Sequence, residues 1–388
     1  MATARKFLRN QGSGKPISDL SRRQFLRFCG CFAAALGLPA SMAPKIARAI
    51  EQGGRLPVVW LSFQGCTGCT ESLLRSTHPT LEKLLFDIIS LEYHETLSAG
   101  AGMQADAALK EALNRDAGRF VLVAEGAIPL AEKGVYVRIN EQAGVDLLNE
   151  VAPKALAVIA IGSCASWGGI PSSGPNPTGA QSVGKTLEGR PVVTIPGCPP
   201  NPYNFLSTVL YFATFGKLPE LDAHNRPKFA YGRLIHENCE RRPHFDAGRF
   251  AKAFGDDGHR KGFCLYKLGC KGPETFANCQ VIKFGDVDAS PIGIGHPCFG
   301  CTESGVGFKK PLFQRADIQR FTPPAFYPHV FEPRGEGITP LTAALGGAAF
   351  GGAMGAGYVL ANRLFKAPDA KEEADKPKRS GAHEHEDE

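Results

Sequence analysis

Short apolar runs separated by helix-length amphipathic stretches fill the chain from about residue 57 to about residue 220. Pro57–Phe63, Leu85–Leu91, Phe120–Ala124, Leu156–Ile161 and Pro191–Ile195 are mostly continuous in hydrophobicity. Strands that are covered on both faces read this way, whereas half-buried strands alternate. Between them, Thr80–Leu85, Ala105–Asn114 and Ala143–Val151 have the composition of helices. The alternation predicts an α/β domain, a flavodoxin-like doubly wound parallel sheet, over residues 50–225. From 226 to 336 the pattern changes. Strand signals are few, and Gly, Pro, Cys and aromatic residues crowd together. A second, loop-rich domain with little regular structure is expected there. Something other than a large core must order it.

The two ends read as addresses. Ser21-Arg22-Arg23-Gln24-Phe25-Leu26 is a twin-arginine motif, an apolar run follows from Phe28 to Ala43, and Ala47-Arg48-Ala49 is an A-x-A cleavage site. Residues 1–49 are therefore expected to be an export signal. This route carries folded proteins, as a cofactor inserted in the cytoplasm requires. Thr339–Ala361 carries no charge over 23 residues. As a helix it would extend about 34 Å, enough to cross a bilayer. Gly347, Gly351 and Gly355 would share one face, where another helix can approach. Arg363, Lys366 and Lys371 follow, which predicts a single transmembrane helix with a charged cytoplasmic tail over 362–388. The expected location is the periplasmic side of a bacterial inner membrane.

Composition excludes some classes. With 43% hydrophobic residues the chain can bury a core, so it is not a disordered protein. Its net charge is +6 with Lys and Arg scattered, so no nucleic-acid partner is expected. The 12 cysteines are the anomaly.

Cys29 and Cys31 fall in the signal, and the other ten sort into three sets. Cys66, Cys69, Cys164 and Cys198 lie in loops that follow three predicted strands. Ligands of open parallel sheets bind at that carboxyl edge, so four thiols from three loops converge there. His236, Cys239, Cys264 and Cys270 offer one imidazole and three thiols. Cys279, Cys298 and Cys301 offer three thiols more. Iron–sulfur clusters suit these sets, the three-thiol one matching a cuboidal cluster short of one iron. Five disulfides, or structural zinc, are the competing readings of ten cysteines in an exported chain. Folding in a reducing compartment argues against the first, and a three-thiol set fits closed tetrahedral zinc badly.

Cys66-Thr-Gly-Cys-Thr-Glu71, Pro196-Gly-Cys-Pro-Pro-Asn-Pro202, His236-Glu-Asn-Cys-Glu-Arg-Arg-Pro-His-Phe245 and Gly295-His-Pro-Cys-Phe-Gly-Cys301 give the chain a family resemblance. It resembles the small subunits of membrane-bound nickel–iron uptake hydrogenases, most of all the hydrogenase 2 type, over essentially its whole length. The resemblance implies a proximal 4Fe-4S cluster on Cys66, Cys69, Cys164 and Cys198. It implies a distal 4Fe-4S cluster on His236, Cys239, Cys264 and Cys270, and a medial 3Fe-4S cluster on Cys279, Cys298 and Cys301. Pro291 stands where some relatives carry a fourth medial cysteine. Gly68 stands where oxygen-tolerant members carry an extra cysteine, which implies an ordinary proximal cluster and an oxygen-sensitive enzyme. Gly65 and Ser290 depart from the family's usual acidic residue and tryptophan.

No nickel-binding cysteine pair is left over, so the resemblance puts dihydrogen chemistry in a large-subunit partner, with this chain as the electron path and no catalytic residue of its own. The expected acceptor is a ferredoxin-like subunit with a quinone-reactive integral protein, or a cytochrome b. A dimer of heterodimers is expected. Glu71, two residues past Cys69, is a candidate proton relay or else a carboxylate favoured by a helix N-terminus. Arg241 and Arg242 are candidates for docking an acceptor, or a solvated pair. The complex I-type cluster subunit shares the four-thiol edge but lacks the second domain, signal and anchor. An exported zinc- or disulfide-stabilised binding module is the non-redox alternative.

Overall fold

In the computed structural model the described residues are 38–52, 55–77, 88–320 and 322–324, with isolated positions 26, 29, 30, 33, 34 and 36. They fall within one unit, Met1–Phe331; the second, Glu332–Glu388, lies outside them. The predicted transmembrane helix 339–361, the tail 362–388 and the predicted helix Thr80–Leu85 are likewise outside the described residues. Among the described residues no helix is long and apolar enough to cross a membrane.

Five parallel strands form the central sheet: β1 (Leu56–Ser62), β2 (Ile89–His94), β3 (Val121–Glu125), β4 (Ala157–Ile161) and β5 (Val192–Ile195). Their order is β2-β1-β3-β4-β5. This is the flavodoxin order, with its switch point between β1 and β3. Four strands match the apolar runs within a residue. The run expected at 85–91 instead starts as a strand at Ile89 and continues to His94. Among the described residues β2 is an edge strand paired with β1 alone, so it tolerates Glu92, a polar position that hid its end from the hydrophobic pattern.

Both faces of the sheet are covered. Val59, Leu61, Leu122, Ala124, Val158 and Ala160 pack with residues of α3 (Met103–Arg115) and α4 (Gly144–Val151). Val58, Trp60, Val121, Val123, Ile159 and Ile161 face the other way, toward α6 (Pro202–Phe215) and the loop-rich part. Each fully buried aliphatic side chain contributes roughly 1.5–3 kcal/mol. α6 is well bounded: the Asn201 side chain accepts from Tyr203 N–H at 3.0 Å, Pro202 opens the helix and Gly216 closes it at φ 64°. Against its outer side packs α1 (Ala43–Gln52), with Lys45 Nζ 5.5 Å from the Phe215 ring centre. The A-x-A site therefore lies inside a helix.

Among the described residues from 226 onward the helical elements are short turns, such as Lys228–Tyr231, Arg242–Asp246 and Asp257–Arg260. Arg226 pins this part to its own loops. It is buried, pairs with Asp222 at 2.7 Å and Glu303 at 2.6 Å, and donates to Thr302 O at 3.0 Å. Glu303 also accepts from Phe276 N–H at 2.9 Å.

Arg226→Met leaves the partly buried Asp222 and Glu303 carboxylates without their cation and should cost about 1–3 kcal/mol, against about 0.5 kcal/mol or less for exposed Arg260→Met; thermal unfolding of both variants checks the contrast. His94 is buried 5.2 Å from the Trp60 ring, and burial pushes its pKa down to about 4. The unfolded chain takes up that proton near about 6.5, so between those values it holds more protons and stability falls as the pH drops. Denaturant midpoints at about pH 7 and about pH 5 should separate more for wild type than for His94→Gln; equal separation would remove His94 as the cause.

Candidate iron–sulfur centres

The register of the sheet sets the first site. Ser62 of β1 lies beside Glu125 of β3, Glu125 beside Ile161 of β4, and Ile161 beside Ile195 of β5. That row ends the sheet. Cys66, Cys164 and Cys198 follow within four residues of it on three of the four strands. Cys69 and Cys164 do not sit in plain loops, as the sequence suggests. They occupy the short helices α2 (Gly68–Leu74) and α5 (Gly162–Trp167). A strand passing directly into a helix brings the Cys164 thiol back over the sheet edge, and a short turn before α2 does the same for Cys69.

Close approach explains the glycine at the start of α5. Gly162 has φ 83°, and a Cβ there would come within 2.4 Å of Cys69 Sγ. Ser163 ties α5 to the β5 loop: its N–H donates to Gly197 O at 2.8 Å and its Oγ accepts from Gly197 N–H at 3.0 Å. Burial pushes the Cys69 thiol well up, and Glu125, Cys164, Cys66 and Cys198 push in the same direction. Burial, then Cys198, takes Cys164 up to about 11. The four predicted proximal residues are thus brought together.

The fourth strand of that row ends in a carboxylate. Glu125 is buried; its Oε1 accepts from Cys69 N–H at 3.1 Å and its Oε2 from Trp60 Nε1–H at 3.0 Å and Thr70 Oγ1–H at 2.6 Å. Thr70 Oγ1 also lies 3.1 Å from His94 Nε2. Glu125 was not among the residues expected at the site. Its one signal in the sequence is an acidic residue closing an otherwise apolar strand. Glu71, the carboxylate that was expected there, is 63% exposed and stands 3.9 Å from Arg75.

Cys279, Cys298 and Cys301 line one cavity of about 370 Å³, with Pro291 and Cys198 also on its wall. Burial takes Cys279 up to about 11 and, with Cys279 as neighbour, Cys301 up to about 12. His236, Cys239, Cys264 and Cys270 line a second, narrower pocket. The His236 Nε2 atom is buried there with no hydrogen-bond partner. Burial, and secondarily Arg242, brings the His236 pKa down to about 4, so the ring is neutral and free to donate a lone pair. Burial takes Cys264 up to about 12.

Hydrogen bonds join the three sites in a row. Ser163 Oγ–H donates to Cys301 O at 2.6 Å, from the first site to the second. Lys271 N–H donates to Cys298 O at 2.6 Å, from the third site to the second. Arg241 and Arg242 belong to this interior. Arg241 N–H reaches Cys239 Sγ at 3.4 Å and its guanidinium donates to Phe263 O at 3.0 Å. Arg242 binds Asp246 through Nε at 3.0 Å. Both are buried, so neither is a solvated pair and neither faces a docking partner.

The donor chemistry fits iron–sulfur clusters. The ten cysteines of the three sets form no disulfide with one another. Among the described residues no three His, Cys, Asp or Glu groups gather around a single metal-ion position. Zinc needs its ligands within about 2.0–2.3 Å of one point, whereas a cuboidal cluster holds thiolates around a larger body. Raised thiol pKa values also agree, since ligation supplies the positive charge that makes a buried thiolate tolerable and releases the proton.

Known proteins carry the same arrangement. Residues 66–212 match the family described as NADH ubiquinone oxidoreductase, 20 Kd subunit. Residues 231–314 match the family described as the C-terminal part of the NiFe/NiFeSe hydrogenase small subunit. The chain is 50% identical to the Hydrogenase-2 small chain of Escherichia coli strain K12, over 92% of this chain and 96% of that one. It is 47% identical to the Quinone-reactive Ni/Fe-hydrogenase small chain of Wolinella succinogenes, over 73% and 80%. The solved recombinant [NiFeSe] hydrogenase from Desulfovibrio vulgaris Hildenborough superimposes with TM-score 0.63 at 38% identity, over 68% of this chain and 99% of that one. With an α/β half and a cysteine-rich half that both match, over nearly the full length of such relatives, the chain belongs to the nickel–iron hydrogenase small subunits, the electron-transfer partners of the hydrogenase large subunit.

Proposed function

We propose that this chain carries electrons from dihydrogen oxidation in the large subunit to a quinone-reducing partner in the membrane, through proximal 4Fe-4S, medial 3Fe-4S and distal 4Fe-4S clusters. The ligands are Cys66, Cys69, Cys164 and Cys198 for the proximal cluster, and Cys279, Cys298 and Cys301 for the medial one. His236, Cys239, Cys264 and Cys270 hold the distal one. What supports the assignment above all is the buried, unpartnered Nε2 of His236 in a pocket with three thiols. An imidazole nitrogen left without a hydrogen bond is costly unless a metal takes its lone pair.

The clusters supply one-electron chemistry at potentials tuned by ligand type, hydrogen bonding and burial. The chain's own residues do the rest. Burial in the medial and distal pockets excludes water. Neutral His236 in place of a thiolate leaves less negative charge at the distal site, which favours the extra electron there. Cys69 N–H is engaged by Glu125, which fixes the start of α2 and the direction of the Cys69 thiol. Pro291, on the medial cavity wall, has no ligand atom to offer, consistent with three ligands there.

The twin-arginine motif supports export with clusters already inserted, and the uncharged run 339–361 supports a membrane anchor, with the body on the periplasmic side. A quinone-reactive acceptor is favoured by the name of the Wolinella succinogenes relative. Glu71, exposed beside the medial cavity, is retained as a candidate for proton relay at the large-subunit interface.

Three outcomes test the ligand sets. The purified heterodimer should contain about eleven irons in this chain and give a sharp, near-isotropic oxidised EPR signal that disappears under dihydrogen. Pro291→Cys should abolish that signal and raise iron to about twelve; persistence of the signal would remove Pro291 from the medial site. His236→Ala should lose the distal centre while keeping the medial signal. Dihydrogen-driven quinone reduction should then fall at least about tenfold more than reduction of a small dye, because only the former needs the exit site. Equal losses would overturn the assignment of His236 to the exit.

A further inference from the structure

Lys271 stands where no solvated lysine could. It follows the distal ligand Cys270, its residue is 0% exposed, and its backbone N–H donates to the carbonyl of the medial ligand Cys298 at 2.6 Å. The ammonium donates to Pro311 O at 2.9 Å. Thr275 Oγ1–H donates back to the Lys271 carbonyl at 2.5 Å, which fixes the backbone. Among the described residues Lys271 forms no ion pair. The nearby carboxylate of Glu274 is itself buried and is bound to Lys310 at 2.6 Å. Burial pushes the Lys271 pKa down; Cys298, then Glu274 and Cys270, hold the charge against that, while Lys310 adds to the downward push.

Burying an ammonium is costly unless negative charge compensates it. A carbonyl dipole compensates only in part. Besides Glu274, which Lys310 already engages, the remaining sources here are the ligand sets on either side of Lys271: three thiolates of one site through Cys298, and three thiolates of the next through Cys270. We propose that Lys271 is a positioning residue for electron transfer, a fixed buried cation that raises the reduction potentials of the medial and distal centres together and so keeps the electron moving away from the large subunit. The proposal rests on the ligand assignment above. Physically, an electron added to either centre is stabilised by a nearby positive charge in a poorly screened interior. The buried charge beside the proximal ligands has the opposite sign: it is Glu125, a carboxylate bonded to Cys69 N–H. Charges of opposite sign at the two ends of the row bias the same direction of flow.

The test is an EPR-monitored redox titration of the purified heterodimer, with the proximal centre as internal reference. Lys271→Met keeps the length of the side chain and removes its charge. At a fixed potential the reduced-to-oxidised ratio of the medial and distal centres should drop about tenfold, equivalent to ~59 mV for a one-electron couple, with the proximal centre unmoved. Lys271→Arg should restore most of that shift. Glu274→Gln removes the negative charge beside Lys271 without shortening anything, and should move the same two centres in the opposite direction. That opposite sign is what a merely structural lysine would not give. Fully loaded Lys271→Met with unchanged midpoints, or both variants shifting the same way, would overturn the proposal. If Lys271→Met fails to load its clusters, Lys271→Gln is read in its place: a downward shift of the medial and distal midpoints supports the fixed-charge account and no shift overturns it. A wild-type heterodimer without medial and distal signals would instead overturn the ligand assignment, and the proposal with it.

Discussion

Nine thiols wholly or partly withdrawn from water, and one buried imidazole nitrogen without a hydrogen-bond partner, are the condition on which the rest of this protein turns. Burial raises the pKa of those nine thiols and lowers that of His236. A chain that buried such groups for packing alone would gain little, because a thiol is a small hydrophobe and an unpaired imidazole nitrogen is a penalty. Iron and sulfide change the balance. Ligation gives the thiolate its counter-charge and gives the imidazole its partner, so the binding free energy becomes part of the folding free energy. Such coupling would let the described stretch 226–320 hold together with little regular structure.

The α/β half supplies what the loop-rich half lacks, a rigid frame. A parallel sheet ends all its strands at the same edge, and the row Ser62–Glu125–Ile161–Ile195 aligns those ends across four strands. Three of the four then deliver thiols, and the fourth delivers Glu125. The frame is extended by particular bonds rather than by a second core. Ser163 reaches the Cys301 loop, Lys271 reaches Cys298, and the Arg226–Glu303 pair closes the loop just after Cys301. Each fixes a backbone segment beside a ligand, so the spacing of the three sites is set by short hydrogen bonds from residues adjacent to cysteines.

Charge is distributed along this row with a direction. A buried carboxylate touches the ligand loop of the first site, a buried ammonium lies between the second and third, and a neutral imidazole replaces one thiolate at the third. Arg241 and Arg242, which from sequence alone read as surface charge, are drawn into the same interior: the Arg241 guanidinium donates to Phe263 O while its backbone N–H reaches the Cys239 sulfur, and Arg242 packs its guanidinium 5.5 Å from the Phe245 ring. The Phe245 ring in turn stands edge-on to His236 at 4.5 Å. Two buried guanidinium groups therefore stand beside the pocket of His236, Cys239, Cys264 and Cys270, one of them paired with Asp246.

The order of residues along the chain was enough to read the sheet, the grouping of the cysteines and the family. Continuous apolar runs of four to seven residues mark strands covered on both faces, and the close spacing of Cys66 with Cys69, or Cys298 with Cys301, is a local property that survives any folding. Four thiols could be placed at one edge because parallel strands share a carboxyl end. What lies between those groups was settled only when the chain folded back on itself. Whether Arg241 and Arg242 face solvent, whether Glu71 or Glu125 is the buried carboxylate, and whether Lys271 is a surface lysine or a desolvated cation are questions of burial. Burial depends on residues far away in the chain: Trp60 and Thr70 for Glu125, Pro311 for Lys271, Phe263 for Arg241. A charged residue carries no mark in one dimension of whether its charge will be solvated. The long-range contacts that remove its water are what turn it from a soluble side chain into part of the site.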